Sequence, residues 1–146
     1  MTEKIYTIGF TKTSAQNFFD RLRKVGAKRL IDVRLNNTSQ LSGFAKADDL
    51  KYFLREILGI EYHHEKSLAP EPEDLSEYRK GRLPWADYAS RYMALISRRK
   101  IETRIPKQFV EDACLLCSEA TPHHCHRRLV CEYLNSQWGT VDAVHL

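Results

Sequence analysis

Short apolar segments alternate along this chain with segments whose apolar residues have helical spacing, and this alternation constrains the fold most. Five segments have the composition of strands: Lys4–Ile8, Arg29–Arg34, Ile60–His63, Ala113–Cys117 and, as a final edge strand, Thr140–Leu146. Because helical stretches separate them, the strands are expected to run mainly parallel in one open sheet. We therefore predict a single-domain α/β fold over residues 1–146, with helices on both faces in a three-layer α/β/α-like arrangement.

Capping residues and prolines place the helices between these strands. A capping box at Thr13–Gln16 predicts the start of a first helix, and Gly26 its end. Asp48 is the expected cap of a second helix. Further helix starts are predicted at three prolines, Pro84, Pro106 and Pro122. Residues 66–83 are rich in prolines and turn-forming residues and are predicted to cross the surface as an excursion.

Composition excludes several classes of protein. Hydrophobic residues make up 42% of the 146, which is too many for a disordered tail. No apolar run approaches the roughly 20 residues that a membrane-spanning helix needs. The first residues lack the apolar core of a signal peptide, so a cytoplasmic location in a bacterial-type cell is expected. We expect no membrane partner, while the oligomeric state stays open.

The net charge of +4 is a mild excess rather than a nucleic-acid signature. Two local basic clusters, residues 79–82 and 98–100, are most simply interpreted as solvated helix ends and loops. The alternative is a surface that contacts phosphates. A non-catalytic, nucleic-acid-associated module is therefore retained as a second hypothesis.

Chemically reactive side chains concentrate where the fourth predicted strand passes into the last helix. All four cysteines lie within residues 114–131, a poor arrangement for a disulfide framework. Cys117 lies three positions after Cys114, and residues an odd number of positions apart are expected on opposite faces of a strand. Cys114 is then a core residue, Cys117 lines a crevice at the carboxyl end of the strand, and Cys131 packs in the middle of the helix.

The start of the last helix adds a second thiol, an imidazole and a guanidinium group. With Thr121 as N-cap and Pro122 as first helical residue, Cys125 falls in or near the first turn. Helix phase directs Cys125 and His126 toward the sheet, with Arg127 beside them. A thiol near a helix N-terminus has a lowered pKa, and the same N-terminus attracts anions.

The same cluster of residues is also compatible with a purely structural role or with metal binding. In the structural role, Cys125 is a small core residue and Arg127 forms an ion pair with Asp32 or Glu119. In the metal-binding role, Cys117, Cys125 and His126 are ligands, and the fourth ligand is one of three other histidines, His63, His64 or His123. Cys114 and Cys117 have the Cys-x-x-Cys spacing of a zinc site, but their side chains are expected on opposite faces of the strand. No other paired spacing supports metal binding, so we predict no metal ligands and leave the cofactor unassigned.

The second predicted strand ends with charged residues. Asp32 and Arg34 share one face of the strand and need partners in a sheet covered on both sides. They either neutralise each other, or Arg34 and the loop after it face the same crevice as Cys117 and Glu119. Gly9, just after the first strand, would allow a ligand or backbone to approach closely.

These pieces together resemble the DUF488 family of uncharacterised bacterial and archaeal proteins. The resemblance covers almost the whole chain and rests on five motifs: Thr7-Ile8-Gly9, Asp32-Val33-Arg34, Gly59-Ile60-Glu61-Tyr62, Leu115-Leu116-Cys117-Ser118-Glu119 and Cys125-His126-Arg127. It implies a compact cytosolic α/β protein and brings no established activity. Two positions depart from the family pattern. Phe10-Thr11 replaces a His-Ser-like pair, and Leu68-Ala69-Pro70 replaces Leu-Gly-Gly. Any proton transfer must then use His63, His64 or His126.

The leading functional hypothesis is a small enzyme for an anionic substrate that contains phosphate, a nucleotide or sulfur. Cys125 or Cys117 would be the nucleophile, and Glu119 or His126 would move protons. Arg127 and Arg34, with Asp32 and Gly9 nearby, would form the binding site for the anion.

Overall fold

The computed structural model describes residues 2–38, 43–118 and 124–146 and confirms the predicted α/β class. The described residues contain five strands: β1 (Glu3–Gly9), β2 (Arg29–Asp32), β3 (Glu61–His64), β4 (Ala113–Cys117) and β5 (Val141–His145). They form one sheet in the order β3-β2-β4-β1-β5, and each neighbouring pair is parallel. The predicted edge position of the last strand is therefore confirmed.

Helices connect the strands and cover both faces of the sheet. The described helices are α1 (Ala15–Val25), α2 (Ala47–Phe53), α3 (Pro72–Arg79), α4 (Trp85–Arg98), α5 (Ile101–Arg104), α6 (Lys107–Val110) and α7 (His126–Trp138). A wider helical turn, Leu54–Leu58, continues α2 up to Gly59. Residues of α1 and α2 pack on one face of the sheet, and residues of α4 to α7 pack on the other.

Side chains of the central strand β4 point alternately to the two faces of the sheet and so contribute to two hydrophobic cores. Leu115 and Cys117 of β4 belong to the core that contains α4 and α7, whereas Cys114 and Leu116 belong to the core that contains α1. The predicted opposite orientation of Cys114 and Cys117 is therefore confirmed. All five residues of β4 are buried, as expected for a central parallel strand covered on both faces.

Several predicted boundaries were wrong by one or two residues. The first helix is capped by Ser14, whose hydroxyl accepts from the backbone N–H of Asn17, rather than by the predicted box at Thr13. Lys46, not Asp48, precedes the first turn of α2. Strand β2 ends at Asp32, two residues earlier than predicted.

Two further corrections affect the functional site. The segment predicted as an excursion contains helix α3, which begins at Pro72 as its first residue. The last helix begins at His126, four residues after the predicted start, with Cys125 as its N-cap in extended backbone. The predicted cap Thr121 and the proline after it lie outside the described residues.

Candidate active site

Sheet topology places the candidate site between β2 and β4. The chain leaves β2 toward β3 on one side and leaves β4 toward β5 on the other, although β2 and β4 are neighbours. In open parallel sheets, a crevice forms at the carboxyl ends of two strands whose connections diverge in this way. A small cavity of ≈ 50 Å³ opens at this position.

The cavity is lined by residues that follow β2, end β4, begin α7 and belong to α3 and α4. They are Arg34, Leu35, Asn36, Leu75, Tyr78, Arg79, Tyr88, Cys117, Ser118, His124, Cys125 and His126. The structure thus brings three of the four predicted catalytic residues to one cavity. The fourth, Glu119, lies outside the described residues.

The two candidate thiols lie directly against each other. Cys117 is the last residue of β4, Cys125 precedes the first turn of α7, and their Sγ atoms form a disulfide. Their Cα atoms are 7.3 Å apart. Both side chains are buried, with exposed fractions of 1% and 3%. The sequence identified both residues but did not predict that they pair, because the packing of α7 against the sheet sets their separation in space.

The other two cysteines are core residues, as predicted. Cys114 and Cys131 are free and buried. Burial raises the pKa of Cys131 to about 12 and raises that of Cys114 further. Both therefore stay in the unreactive thiol form near neutral pH.

His126 is held neutral beside the sulfur pair. Its Nε2 lies 2.8 Å from the carbonyl oxygen of Val33, and a carbonyl can only accept, so Nε2 carries the proton and Nδ1 does not. Burial lowers the pKa of His126 to about 4, against the raising effect of this hydrogen bond. Its ligating nitrogen and the Sγ atoms of Cys117 and Cys125 all lie within 4.8 Å of one another. The site combines two sulfurs with a neutral imidazole able to accept a proton or a metal ion.

Arg127 contacts the sulfur pair from inside the protein. Its side chain is fully buried, and Nη1 lies 3.7 Å from the Sγ of Cys117. Arg127 therefore places a positive charge next to this sulfur. Arg127 does not line the cavity. Its predicted role in binding an anion stays a prediction.

Arg34 and Asp32 neutralise each other in a buried pair, which was one of the two predicted alternatives. The Arg34 Nε and Nη2 atoms lie 2.8 and 2.7 Å from the two carboxylate oxygens of Asp32. The Tyr62 hydroxyl donates to the same carboxylate at 2.6 Å, and the Ala45 carbonyl accepts from Arg34. These contacts satisfy Arg34 within the protein, although part of the residue lines the cavity.

The remaining predicted site residues are close to the sulfur pair or engaged elsewhere. Gly9 pairs with Cys117 across β1 and β4, which places backbone without a side chain beside that sulfur. His63 lies 2.9 Å from Glu65, and His64 Nε2 lies 2.7 Å from the Arg34 carbonyl oxygen. Of the three histidines considered for proton transfer, His126 is the one in the sulfur cluster.

Helices α3 and α4 contribute a wall that the sequence did not predict. Tyr78 and Tyr88 stack with their ring centroids 4.8 Å apart, and Trp85 stacks on His124 at the same distance. Arg79 is exposed at the cavity and makes no ion pair among the described residues. Burial raises the pKa of Tyr88 and lowers the pKa of His126, and the positive charge of Arg79 has a smaller, lowering effect on both. In the sequence, the basic composition of residues 79–82 was the feature that could have indicated the role of Arg79 at the cavity.

One arginine in each of the two basic clusters is engaged in contacts within the protein. In the second cluster, Arg99 donates to the carbonyl oxygens of Ser67 and Ala69 at 2.8 Å. In the first, Arg82 lies 3.7 Å from Glu77. Internal contacts therefore account for Arg82 and Arg99, and binding to nucleic acid stays a prediction.

Among the described residues, no helix has the length and apolar character required to cross a membrane.

Comparison with known proteins identifies a family without identifying an activity. The family model described as "Domain of unknown function DUF488" matches residues 14–134. No curated protein and no solved structure matches the chain. The geometry of the site is therefore the basis for a functional proposal.

Proposed function

The chain belongs to the DUF488 family, and we propose that it is a small enzyme that exchanges thiols and disulfides with an anionic, sulfur-containing substrate. The observation that carries this proposal is the direct pairing of Cys117 with Cys125 at the wall of the cavity. The proposal includes a cytoplasmic location, where disulfides are usually transient and either catalytic or redox-sensing. A cellular dithiol would return the pair to its reduced form.

Cys125 is the proposed attacking residue because it lies at the N-terminus of a 13-residue helix. The helix dipole and the first backbone N–H groups of α7 stabilise a thiolate there. The unprotonated Nδ1 of His126 orients the thiol by accepting its hydrogen bond, since the Nε2–H of the ring is already donated to Val33. The Arg127 guanidinium stabilises the second thiolate on Cys117.

The proposed reaction transfers two electrons to a disulfide substrate. The Cys125 thiolate attacks one substrate sulfur, so that a mixed disulfide forms, the substrate S–S bond breaks and the first thiol leaves with a proton. The Cys117 thiolate then attacks Cys125 Sγ, which releases the second thiol and forms the protein disulfide. Each turnover therefore converts one disulfide and two protein thiols into two thiols and one protein disulfide.

Substrate charge is the second part of the proposal. Arg79 lies at the cavity without a carboxylate partner among the described residues, and a guanidinium group binds carboxylate or phosphate. The ≈ 50 Å³ cavity accommodates a small group rather than a large cofactor. We therefore propose a low-molecular-weight disulfide that carries an acidic group.

Matched small disulfides test the reaction and the charge preference together. The reduced protein, freed of reductant, is mixed with anionic 3,3′-dithiodipropionate or cationic cystamine, and intact mass reports each adduct. The parent protein should form its internal disulfide and react faster with the anion. Cys117→Ser should accumulate the mixed disulfide on Cys125, and Arg79→Gln should lose the charge preference.

The core variant Cys131→Ala is the control, because this cysteine is buried outside the cavity. It should exchange at the parent rate. The proposal is wrong if Cys125→Ser reacts as fast as the parent, or if the reduced parent forms no internal disulfide with either compound.

A further inference from the structure

The structure places three side chains with metal-binding atoms at one point of the cavity wall. The Sγ atoms of Cys117 and Cys125 and a ring nitrogen of His126 all lie within 4.8 Å of one another, and all three residues are buried. Around a tetrahedral zinc ion, bonds of about 2.0–2.3 Å place such ligand atoms roughly 3.3–3.8 Å apart. Once the bond between the two sulfurs is reduced, side-chain rotations of Cys117 and Cys125 would have to separate the Sγ atoms to reach this spacing.

We propose that the reduced protein binds one zinc ion through Cys117, Cys125 and His126, with a fourth coordination position open to the cavity. The three proposed ligands lie at the end of β4 and at the start of α7, so two regular elements with buried residues hold them in place. Three protein ligands with an open fourth position are typical of catalytic rather than structural zinc sites.

A hydrogen bond donated by the imidazole already gives His126 the tautomer that a metal ligand needs. Its Nε2–H donates to the Val33 carbonyl oxygen at 2.8 Å, which leaves Nδ1 without a proton. Metal-binding histidines usually donate their other ring N–H to a carbonyl or carboxylate in this way, which fixes the ring orientation. Val33 follows β2 and is itself hydrogen-bonded to Leu116 of β4, so this support is rigid.

Charge at the site is compatible with a divalent ion. Two thiolates and a neutral imidazole balance the charge of Zn²⁺, and binding releases one proton from each thiol. The Arg127 Nη1 atom, 3.7 Å from Cys117 Sγ, stabilises a sulfur that carries negative charge. No carboxylate is required in the ligand set.

An independent observation indicates that a ligand belongs in the same cavity. The Tyr88 hydroxyl is buried and has no hydrogen-bond partner among the described residues, and Tyr88 lines the cavity with the three proposed ligands. A buried hydroxyl without a partner costs stability. A water or substrate group at the fourth position of the ion lies on the side of the cavity that Tyr88 and Arg79 also line.

Metal binding and the disulfide exclude each other, since they use the same two sulfur atoms. The zinc-bound form therefore belongs to the reduced state, and oxidation of Cys117 and Cys125 releases the ion. This inference requires only that the thiols can be reduced, and it holds whether or not the proposed exchange reaction occurs.

Cobalt titration of the reduced chain, under anaerobic conditions, tests the site. We expect one Co²⁺ per chain, with the near-ultraviolet charge-transfer band of thiolate ligands and the intense visible bands of tetrahedral Co²⁺, both lost when Zn²⁺ is added. The oxidised parent should bind no Co²⁺. The proposal is overturned if the folded, reduced parent shows no thiolate band at one equivalent.

Single variants identify the ligands. Cys117→Ser, Cys125→Ser and His126→Asn should each weaken Co²⁺ binding by about 100-fold or more, while Cys131→Ala should bind like the parent. Circular dichroism identifies any variant that fails to fold, and the remaining variants still decide the result. Unchanged binding in any folded ligand variant removes that residue from the site and overturns the proposed set.

Three further measurements separate the parts of the proposal. Imidazole should shift the visible bands of the Co²⁺ protein if the fourth position is open, and an unchanged spectrum refutes that position. His124→Asn should leave the spectrum unchanged, because a shift would assign the fourth position to this histidine. Exchange with 3,3′-dithiodipropionate, measured in the presence of a chelator, reports on the proposed enzyme activity without metal.

Discussion

Replacing Asp32 by Asn tests whether the buried pair below the cavity supports the fold. Asp32 is fully buried and Arg34 is 3% exposed. The carboxylate accepts from Nε and Nη2 of Arg34 and from the Tyr62 hydroxyl. The amide preserves the shape of the side chain but leaves the guanidinium charge buried without a counter-charge. Removing one member of a buried ion pair costs about 3–5 kcal/mol.

Urea unfolding at neutral pH measures this cost. We expect the free energy of unfolding to fall by about 3–5 kcal/mol with an unchanged m-value. The double variant Asp32→Asn with Arg34→Met should lose about 2 kcal/mol less than the sum of the single variants, because the unpaired charge is gone.

A matched exposed pair is the control for this experiment. Arg23 and Asp20 lie 3.2 Å apart with both side chains more than half exposed, so Asp20→Asn should change stability by less than about 1 kcal/mol. A cost below about 1 kcal/mol for Asp32→Asn would refute the reasoning, since it would mean that Arg34 does not depend on this carboxylate.

Three further predictions concern the thiols, the core and a helix end. In the reduced protein, iodoacetamide followed by peptide mass analysis should label Cys117 and Cys125 before unfolding. The other two cysteines should react only after denaturant is added, because neither lines the cavity and burial raises the pKa of each. Leu115→Ala should reduce the free energy of unfolding by about 2–5 kcal/mol, since this side chain is fully buried in the central strand. Gly26→Ala should cost about 1 kcal/mol in the same assay, because Gly26 ends α1 at φ 66° with no neighbouring atom within 4 Å of the added carbon.

The order and type of the main elements followed from local sequence patterns. The strand Ala113–Cys117 was predicted at its observed bounds, because a short, wholly apolar run in a βα context is typical of a buried parallel strand. The opposite orientation of Cys114 and Cys117 followed from the two-residue period of a strand. These features depend on backbone geometry that neighbouring residues determine.

Boundaries were less predictable where tertiary contacts replace local ones. Helix α7 begins at His126, where the ring is held by the Val33 carbonyl, a contact between residues 93 positions apart. The segment after β3 was predicted as a surface excursion, without a helix, because prolines and charges dominate it. Helix α3 forms there because its side chains pack against α4, as in the stacking of Tyr78 on Tyr88.

The sequence by itself determined the α/β class, the family and the residue types of the site, because these depend on periodicity, composition and motifs. Only the tertiary structure decided how the site is assembled. It paired Cys117 with Cys125, directed Arg34 onto Asp32 and brought Arg79 and Tyr88 to the cavity. The physical reason is that strand order and loop paths set distances between residues far apart in the chain, and these distances decide which charges, sulfurs and hydroxyls meet.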